Sequence, residues 1–274
     1  MKGKHSKKAI HTAIGIVSAC MVLVVLVHLI SMFTAGRTIA YTEISFTSDK
    51  IGRELDGYVL AFVTDVHAAP LEQIVQIAES MSARGIGLLV LGGDFLPGEE
   101  GWPALRALSK TRTTDGIYGV DGNKDDWESL KTGMETYGIH PLDNNGVAIR
   151  PGFYLAGVGD LWNREPNVEA AVAQAQPEDF VLLVSHNPDV SMRQSLSSVD
   201  LVLSGHTHGG QITLFGLWKP LLTIVTDYGG RFGGGWAEGA DGTDVYVSRG
   251  VGSQEWAPRV FTQPEVVYLT LRAA

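Results

Sequence analysis

The feature that most constrains this chain is a run from residue 9 to residue 36 that contains no Lys, Arg, Asp or Glu. Its apolar part, residues 9–33, would form a helix about 37 Å long at about 1.5 Å per residue, and a bilayer core is about 30 Å thick. A helix that is apolar around its whole circumference does not suit the surface of a soluble domain. The sequence therefore predicts a single transmembrane helix.

The residues that flank this apolar segment predict its orientation. Four lysines precede it and one arginine shortly follows it, namely Lys2, Lys4, Lys7, Lys8 and Arg37. This bias predicts an inside N-terminus, a single pass through the cell membrane and a body on the extracytoplasmic side. A cleaved signal peptide is the alternative, but the run is longer than the usual apolar region, and no small-x-small cleavage pattern follows it.

The charge of the body excludes several classes of partner and site. From residue 34 onward the chain has 17 basic and 30 acidic side chains, a net charge of −13. Because such a body repels a polyphosphate, we expect no nucleic-acid partner. The only cysteine, Cys20, lies in the apolar segment, so the body has no disulfide and no thiolate metal site.

We divide the chain into a basic N-terminal segment, an anchor, a polar stalk and one large domain, at residues 1–8, 9–33, 34–56 and 57–274. Short apolar runs alternate with helical patterns in the domain, and its last fifty or so residues are mostly strand and turn. This order predicts an α/β fold whose parallel core is completed by antiparallel strands. Residues 222–225 are predicted to form a strand, and the glycine-rich residues 228–242 a long mobile loop.

Five short motifs each follow directly on a predicted strand: Asp65-Val66-His67, Gly92-Gly93-Asp94, Gly122-Asn123, His186-Asn187 and Gly205-His206-Thr207-His208-Gly209. The carboxyl ends of strands in an open α/β sheet line one crevice, so these side chains are expected to converge. Each motif alone is common, whereas five together indicate a metal site. A set rich in oxygen and imidazole suits Mn²⁺, Fe or Zn²⁺ better than Ca²⁺.

These motifs resemble the blocks of the calcineurin-like metallophosphoesterases, D-x-H, G-D, G-N-H-[DE], H and G-H-x-H. The similarity extends from about residue 59 to residue 271. The segments LLVSHNPD, SGHTHGGQI and VSRGVGSQEWAPRVFTQPEVVYLTL are similar to a membrane-associated bacterial branch, which includes enzymes that act on UDP-2,3-diacylglucosamine. The resemblance implies a metallophosphoesterase-type β-sandwich flanked by helices, here with one N-terminal transmembrane helix.

The resemblance also implies two divalent metal ions, with Mn²⁺ favoured and Fe or Zn²⁺ as alternatives. The implied ligands are Asp65, His67 and His208 for the first ion, Asn123, His186 and His206 for the second, and Asp94 as a bridge. Such a pair activates water and clamps the phosphoryl oxygens of the substrate. Asp94, Asn123 and Lys124 are the residues expected to act in catalysis.

Lys124 departs from the family pattern, because histidine commonly occupies this position. A lysine ammonium, with a reference pKa of about 10.4, is a poor proton donor near neutral pH. It can still stabilise negative charge on a leaving oxygen, which suits good leaving groups such as the phosphate half of a pyrophosphate. The alternative is that Lys124 only forms an ion pair with Asp125 or Asp126 at the surface.

We therefore predict metal-dependent hydrolysis of a phosphodiester or pyrophosphate bond in a lipid-linked or nucleotide-sugar substrate. UDP-2,3-diacylglucosamine is the candidate that the resemblance implies, although that lipid is expected on the cytoplasmic face. The alternatives are an exported phosphodiesterase that acts on cell-envelope phosphodiesters, a phosphomonoesterase, and a non-catalytic scaffold that holds metal.

Two further features have open interpretations. Arg164 follows another predicted strand and could bind phosphate, or it could lie in a loop without function. The apolar residues Leu214, Phe215, Leu217, Trp218 and Leu221 could belong to the core, or they could hold acyl chains near the bilayer.

Overall fold

A computed structural model describes residues 2–254 and 258–274 of the chain. The strands are β1 (Ala40–Ser48), β2 (Val59–Val63), β3 (Leu88–Leu91), β4 (Ile117–Gly119), β5 (His140–Pro141), β6 (Asn145–Arg150), β7 (Phe153–Gly157), β8 (Phe180–Val184), β9 (Leu201–Ser204), β10 (Gly235–Glu238), β11 (Asp244–Val247) and β12 (Glu265–Ala273). The helices are α1 (Lys2–Thr34), α2 (Leu71–Arg84), α3 (Trp102–Leu108), α4 (Trp127–Thr136), α5 (Val168–Ala171), α6 (Val190–Arg193) and α7 (Leu222–Val225).

The strands form two six-stranded sheets that pack face to face. Sheet I has the order β1-β12-β2-β3-β4-β5, and sheet II has the order β10-β11-β9-β8-β7-β6. The core between them includes Phe62 of sheet I with Phe153 and Leu182 of sheet II. Helices α2, α3 and α4 cover the outer face of sheet I, and α5 and α6 cover that of sheet II. The expected α/β sandwich flanked by helices is confirmed.

The central strands are apolar on both faces because both faces are covered. Every residue of β3 (LLVL) and of β8 (FVLLV) is buried. Such strands appear in a sequence as continuous apolar runs rather than as an alternation. Helix α2 instead shows helical spacing, since Ile74, Ile77 and Met81 are its large buried residues and face sheet I.

The segment that we expected to be a stalk contains a strand of the sandwich. β1 pairs in parallel with β12 along its whole length, from Ala40 beside Glu265 to Ser48 beside Ala273. Its residues alternate between exposed and half-buried positions, and Ile44 and Phe46 pack against the core between the sheets. Threonines and serines fill most of the remaining positions, so the segment appears polar although it belongs to sheet I.

Two other local predictions are wrong. Residues 222–225 form the short helix α7 rather than a strand. The glycine-rich segment 228–242 is not one loop, because it contains a 3-10 turn at Gly229–Phe232 and strand β10, which pairs antiparallel with β11. Phe232 is fully buried, which fixes this segment against sheet II.

Helix α1 contains the predicted apolar segment. Its residues Ile10–Thr34 are long and apolar enough to cross a membrane, by length and composition. The last turns of α1 contact the body, where the Ser31 hydroxyl oxygen accepts a hydrogen bond from the backbone N–H of Phe261 at 2.7 Å. One N-terminal candidate for a membrane span is thus present in the structure.

Candidate metal centre

Four of the predicted ligands converge at the carboxyl ends of four strands. Asp65 lies just beyond β2, Asp94 beyond β3, His186 beyond β8 and His206 beyond β9, and all four are buried. Within the described ranges, two groups of carboxylate and imidazole side chains have ligand atoms that lie within 4.8 Å of one another. The groups are Asp65, His67 and His208, and Asp65, Asp94 and His186.

The first group matches the set that the resemblance implies for the first metal. The Nε2 atoms of His67 and His208 are 3.0 Å apart. The His208 Nε2 atom lies 3.3 Å from Asp65 Oδ1, and the His67 Nε2 atom lies 4.0 Å from the same oxygen. Two imidazole nitrogens and a carboxylate oxygen therefore face a common point, as the ligands of a divalent cation do.

Asp65 belongs to both groups, and Asp94 lies between His67 of the first group and His186 of the second. The Asp94 Oδ2 atom lies 3.4 Å from both His67 Nε2 and His186 Nε2. The other ring nitrogen of His186, Nδ1, is 2.7 Å from the carbonyl oxygen of Gly92, which orients the ring toward Asp94. Asp94 Oδ2 and His186 Nε2 are both buried without a hydrogen-bond partner among the described residues. Buried polar atoms without partners are costly, and a bound cation would satisfy both.

His206 and Asn123 lie side by side at the edge of these groups. The His206 Nδ1 atom is 2.8 Å from Asn123 Oδ1, and its Nε2 atom is 2.8 Å from the carbonyl oxygen of Val225. The edge of the Trp162 indole contacts the His206 ring at 4.5 Å between centroids. The structure therefore brings all seven predicted ligands together, with His206 and Asn123 outside the two tight groups.

The electrostatics of the site favour neutral imidazoles at three of the four histidines. Burial lowers the pKa of His67 and, together with His186, lowers that of His206 to about 3. Burial and the Arg259 guanidinium lower the pKa of His208. A neutral imidazole has a free lone pair, which is the form that binds a metal.

His186 and Asp94 form the charged pair of the site. Burial alone would lower the pKa of His186, but the Asp94 carboxylate outweighs burial and raises it. Burial would likewise raise the pKa of Asp94, but His186 and then His67 lower it. A metal binds the neutral form of an imidazole, so the raised pKa of His186 means that metal would compete with a proton at this residue.

The backbone at the site has an unusual conformation. Five predicted ligands have a positive φ: +53° at Asp65, +42° at His67, +56° at Asp94, +69° at His206 and +50° at His208. Residues other than glycine seldom adopt this region, and such strain concentrates at functional sites. The tight turns that aim these side chains into one crevice are therefore maintained at a cost in conformational energy.

Asp125 has a structural role, and this role argues against a simple surface ion pair between Asp125 and Lys124. Its carboxylate accepts hydrogen bonds from the backbone N–H groups of Asp94, Phe95 and Gly122, each at 2.8 Å. Burial and the nearby Asp94 charge raise the pKa of Asp125 to about 8. Asp125 thus joins the turns after β3 and β4, and the acidic last position of the G-N-H-[DE] block was the signal in the sequence for this role.

Lys124 lines the cleft over the site together with Asn123 and His206. Asp126, the other acidic neighbour, caps α4 by accepting a hydrogen bond from the backbone N–H of Ser129. Over residues 2–254 and 258–274, no ion pair joins Lys124 to either neighbouring carboxylate. The positive charge of Lys124 also contributes to the lowered pKa of His206, so that charge acts on the site.

Arg259 supports the site from within the core, and we did not predict it. Only 1% of its surface is exposed. Its guanidinium donates to the carbonyl oxygens of Gly252 at 2.9 Å, of Arg249 at 2.7 Å and of His208 at 3.4 Å. Arg259 therefore holds the turn after β11 against a predicted ligand, and a lone arginine in a polar segment gave no signal of this.

Arg164, which we considered as a phosphate-binding residue or as part of a loop without function, makes contacts within the protein. Its guanidinium forms an ion pair with Asp143 at 2.5 Å and lies over the Trp127 ring at 4.5 Å. These contacts join the loop after β7 to α4 and to the end of β5, and they occupy the guanidinium with partners inside the protein.

The region of the chain that carries the site resembles known proteins. The family model for calcineurin-like phosphoesterases matches residues 58–210, which is more than half of the chain. An uncharacterized metallophosphoesterase of Helicobacter pylori is 29% identical over 238 residues, which cover 81% of this chain and 61% of that protein. The uncharacterized metallophosphoesterase YkuE of Bacillus subtilis is 26% identical, over 85% of each chain.

A relative from cattle resembles this chain over most of its length. A transmembrane protein with metallophosphoesterase domain from Bos taurus is 25% identical over 93% of this chain and 62% of its own length. The chain thus spans less than two thirds of the cattle and Helicobacter relatives.

Proposed function

Because this chain belongs to the calcineurin-like phosphoesterase family, and so is a metal-dependent phosphoester hydrolase, we propose that it cleaves a phosphodiester or pyrophosphate bond in a lipid-linked substrate. UDP-2,3-diacylglucosamine is the named candidate, and an envelope lipid with a phosphodiester headgroup is the second. The observation that supports the proposal is the convergence of buried carboxylates and imidazoles beside an apolar wall of the cleft, formed by Leu221 and Ile224.

The site residues have separate roles in this proposal. Asp65, His67 and His208 hold one divalent ion, Asn123, His186 and His206 hold the other, and Asp94 is shared. We propose Mn²⁺, with Fe or Zn²⁺ as alternatives, since the donors are oxygen and nitrogen only. When bound, the two ions supply an activated nucleophile from water and offset the charge of the phosphoryl oxygens.

Lys124 acts on the leaving group in this proposal. Lys124 lines the cleft together with Asn123, and its ammonium can stabilise negative charge that develops on the departing oxygen. A charged lysine supplies this stabilisation without donating a proton, so the enzyme prefers leaving groups that are already weak bases. The phosphate half of a pyrophosphate bond meets that requirement.

We propose that the domain at residues 57–274 lies on the extracytoplasmic side of the membrane, as the four lysines before the apolar segment favour. That side favours an envelope lipid, whereas hydrolysis of a UDP-linked lipid requires the cytoplasmic side. Protease digestion of intact and permeabilised cells distinguishes the two, since a body that is cleaved in intact spheroplasts lies outside.

The test of activity uses the full chain in detergent after removal of metal. Mn²⁺ is restored, and hydrolysis is measured with UDP-2,3-diacylglucosamine, bis(p-nitrophenyl) phosphate and p-nitrophenyl phosphate. We expect metal-dependent hydrolysis of the lipid well above that of the model diester. Hydrolysis of the diester alone supports the envelope phosphodiesterase, and preference for the monoester contradicts the proposal.

Two variants separate catalysis from a structural use of metal. Asp94→Asn is expected to fold and to lose turnover, because its shared carboxylate is gone, whereas unchanged turnover would contradict the role of Asp94. Lys124→His is expected to raise the rate with diphenyl phosphate relative to bis(p-nitrophenyl) phosphate, because histidine can protonate the poorer leaving group. An unchanged ratio would contradict the role of Lys124.

A further inference from the structure

An exposed apolar loop lies beside the cleft. We call residues 214–224 the apolar loop; it includes Leu217, of which 87% is exposed, Trp218 at 65% and Ile224 at 66%, and Leu214 and Phe215 are also exposed. Large apolar side chains that cluster on a surface mark a site of interaction with a protein or a membrane. This cluster lies within one short segment, which begins six residues after His208.

The apolar loop contacts the helix that is the candidate membrane span. The His28 ring packs edge-on against Phe215 and Phe261, with centroid distances of 4.7 and 4.9 Å. His28 precedes the end of α1 at Thr34 by six residues, which corresponds to about 9 Å along the helix axis. The apolar loop therefore lies alongside the last turns of α1 and not beyond them. Apolar side chains that bind at a membrane surface enter to about 5–10 Å.

The shape of the apolar loop is fixed by its own contacts. The backbone N–H of Leu214 donates to the carbonyl oxygen of Trp218 at 2.8 Å, and the Thr213 hydroxyl oxygen accepts from the N–H of Gly216 at 2.9 Å. Phe215 and Phe261 have φ values of +53° and +54°. Bulky residues are outliers in this region, so the fold maintains strained turns to place both rings against α1.

The register of sheet I places the metal centre at the end of the body where α1 leaves. Strand β1 begins at Ala40, six residues after α1 ends, and Thr42 lies beside Val267 of β12. Val267 in turn lies beside Phe62 near the carboxyl end of β2, the end that carries Asp65. The ligands and the apolar loop thus share one end of the body.

The apolar loop also continues into the cleft. Leu221, Ile224 and Val225 line one side of it, and Trp162 also lines it. The carbonyl oxygen of Val225 is bonded to His206 Nε2, so the end of this segment is attached to a predicted ligand. Apolar side chains of the loop are thus present both at the exposed Leu217 and at the wall of the cleft, at Leu221 and Ile224.

We propose that the apolar loop inserts into the leaflet in which α1 ends, so that the mouth of the cleft opens at the lipid headgroups. The occupant is the lipid bilayer, because the loop packs against the helix that would span it. A phosphate at headgroup level then reaches the metal centre while its acyl chain follows Leu221 and Ile224. This last consequence rests on the proposed lipid substrate, whereas the insertion of the loop does not.

The test uses the full chain with Cys20→Ser, reconstituted in vesicles of phosphatidylcholine and phosphatidylglycerol. An environment-sensitive fluorophore is attached at Leu217→Cys. The matched control is Asp49→Cys, an exposed position just beyond the end of β1, at the opposite end of the body. Lipids with a spin label near the top of the acyl chain quench a fluorophore that enters the leaflet.

We expect the label at position 217 to shift its emission to the blue and to lose at least about half of its intensity to the spin-labelled lipid. The label at position 49 is expected to stay accessible to water. Equal accessibility of the two labels would overturn the proposal. Shielding from water without quenching by lipid would also overturn it, because a protein, such as a second copy of the chain, would then be the occupant. Hydrolysis of bis(p-nitrophenyl) phosphate by the labelled protein is measured in parallel, which separates a loop outside the membrane from an inactive enzyme.

Discussion

Gly93 is a position where the structure predicts a large effect from one added methyl group. Its φ is +85°, and a Cβ atom there would lie 2.5 Å from the carbonyl carbon of Asp121, 2.8 Å from the Asp121 oxygen and against the Gly122 nitrogen. These are backbone atoms, which cannot rotate away. We therefore expect Gly93→Ala to separate the turns after β3 and β4, which carry Asp94 and Asn123.

The magnitude follows from two contributions. A residue other than glycine in the left-handed region costs about 1–2 kcal/mol, and overpacking costs about 1–3 kcal/mol more. Loss of glycine flexibility in the unfolded chain offsets about 0.4–1 kcal/mol. The free energy of unfolding should therefore fall by about 3 kcal/mol, which lowers the melting temperature by about 6–12 °C in a protein of this size.

Gly85→Ala is the matched control. Gly85 has a φ of +76° at the end of α2, but no heavy atom would lie within 4 Å of its Cβ. Only the cost of the left-handed backbone conformation applies at Gly85. We therefore expect the free energy of unfolding to fall by about 1 kcal/mol and the melting temperature by about 2–4 °C. Thermal unfolding of the metal-free full chain in detergent, followed by circular dichroism, compares the two. Equal melting temperatures for the two variants would refute the close approach of the turns at Gly93.

Three further predictions concern metal, pH and the buried arginine. Addition of Mn²⁺ at about 100 times its dissociation constant should stabilise the metal-free protein by about 2.7 kcal/mol, seen as a higher melting temperature, and no rise would argue against a built site. Burial raises the pKa of Asp121 to about 6 despite Arg164, so protonation of Asp121 stabilises the folded state. This contribution to stability is complete below about pH 3.9 and is lost as the pH rises through 6. Urea titrations of the metal-free protein should show a smaller loss across this window in Asp121→Asn, and an unchanged slope would contradict the assignment. Arg259→Met should leave the Gly252 and Arg249 carbonyl oxygens unpaired and destabilise the protein by about 2–6 kcal/mol, measured by urea unfolding, whereas a loss below about 1 kcal/mol would show that those oxygens find other partners.

The predictions from sequence succeeded where one physical cause dominated. The buried strands β3 and β8 consist wholly of apolar residues, so the sequence shows them as short apolar runs just before the predicted ligands. The predicted ligands could be expected to lie close together because the carboxyl ends of parallel strands converge, independently of the conformation of the loops.

The failures occurred where distant contacts decide the local structure. The run Leu222–Val225 has the composition of a strand, but it forms a helical turn whose last carbonyl oxygen bonds to His206. Strand β1 has few apolar residues, and its pairing with β12 supplies the order that its own sequence does not indicate. Arg259 is buried because several carbonyl oxygens converge on it, and they belong to residues 7, 10 and 51 positions away along the sequence.

The pairing of β1 with β12 has a consequence for the order of events during synthesis. Thr42 bonds to Glu265 across 223 positions, and β12 lies between β1 and β2 in sheet I. A ribosome therefore completes α1, β1 and almost all of the sandwich before the strand that joins them exists. Until then β1 and β2 each have an unpaired edge, so the body cannot close as it emerges. The contacts of β12 with β1 and β2 are therefore long-range contacts that form only once nearly the whole chain is available.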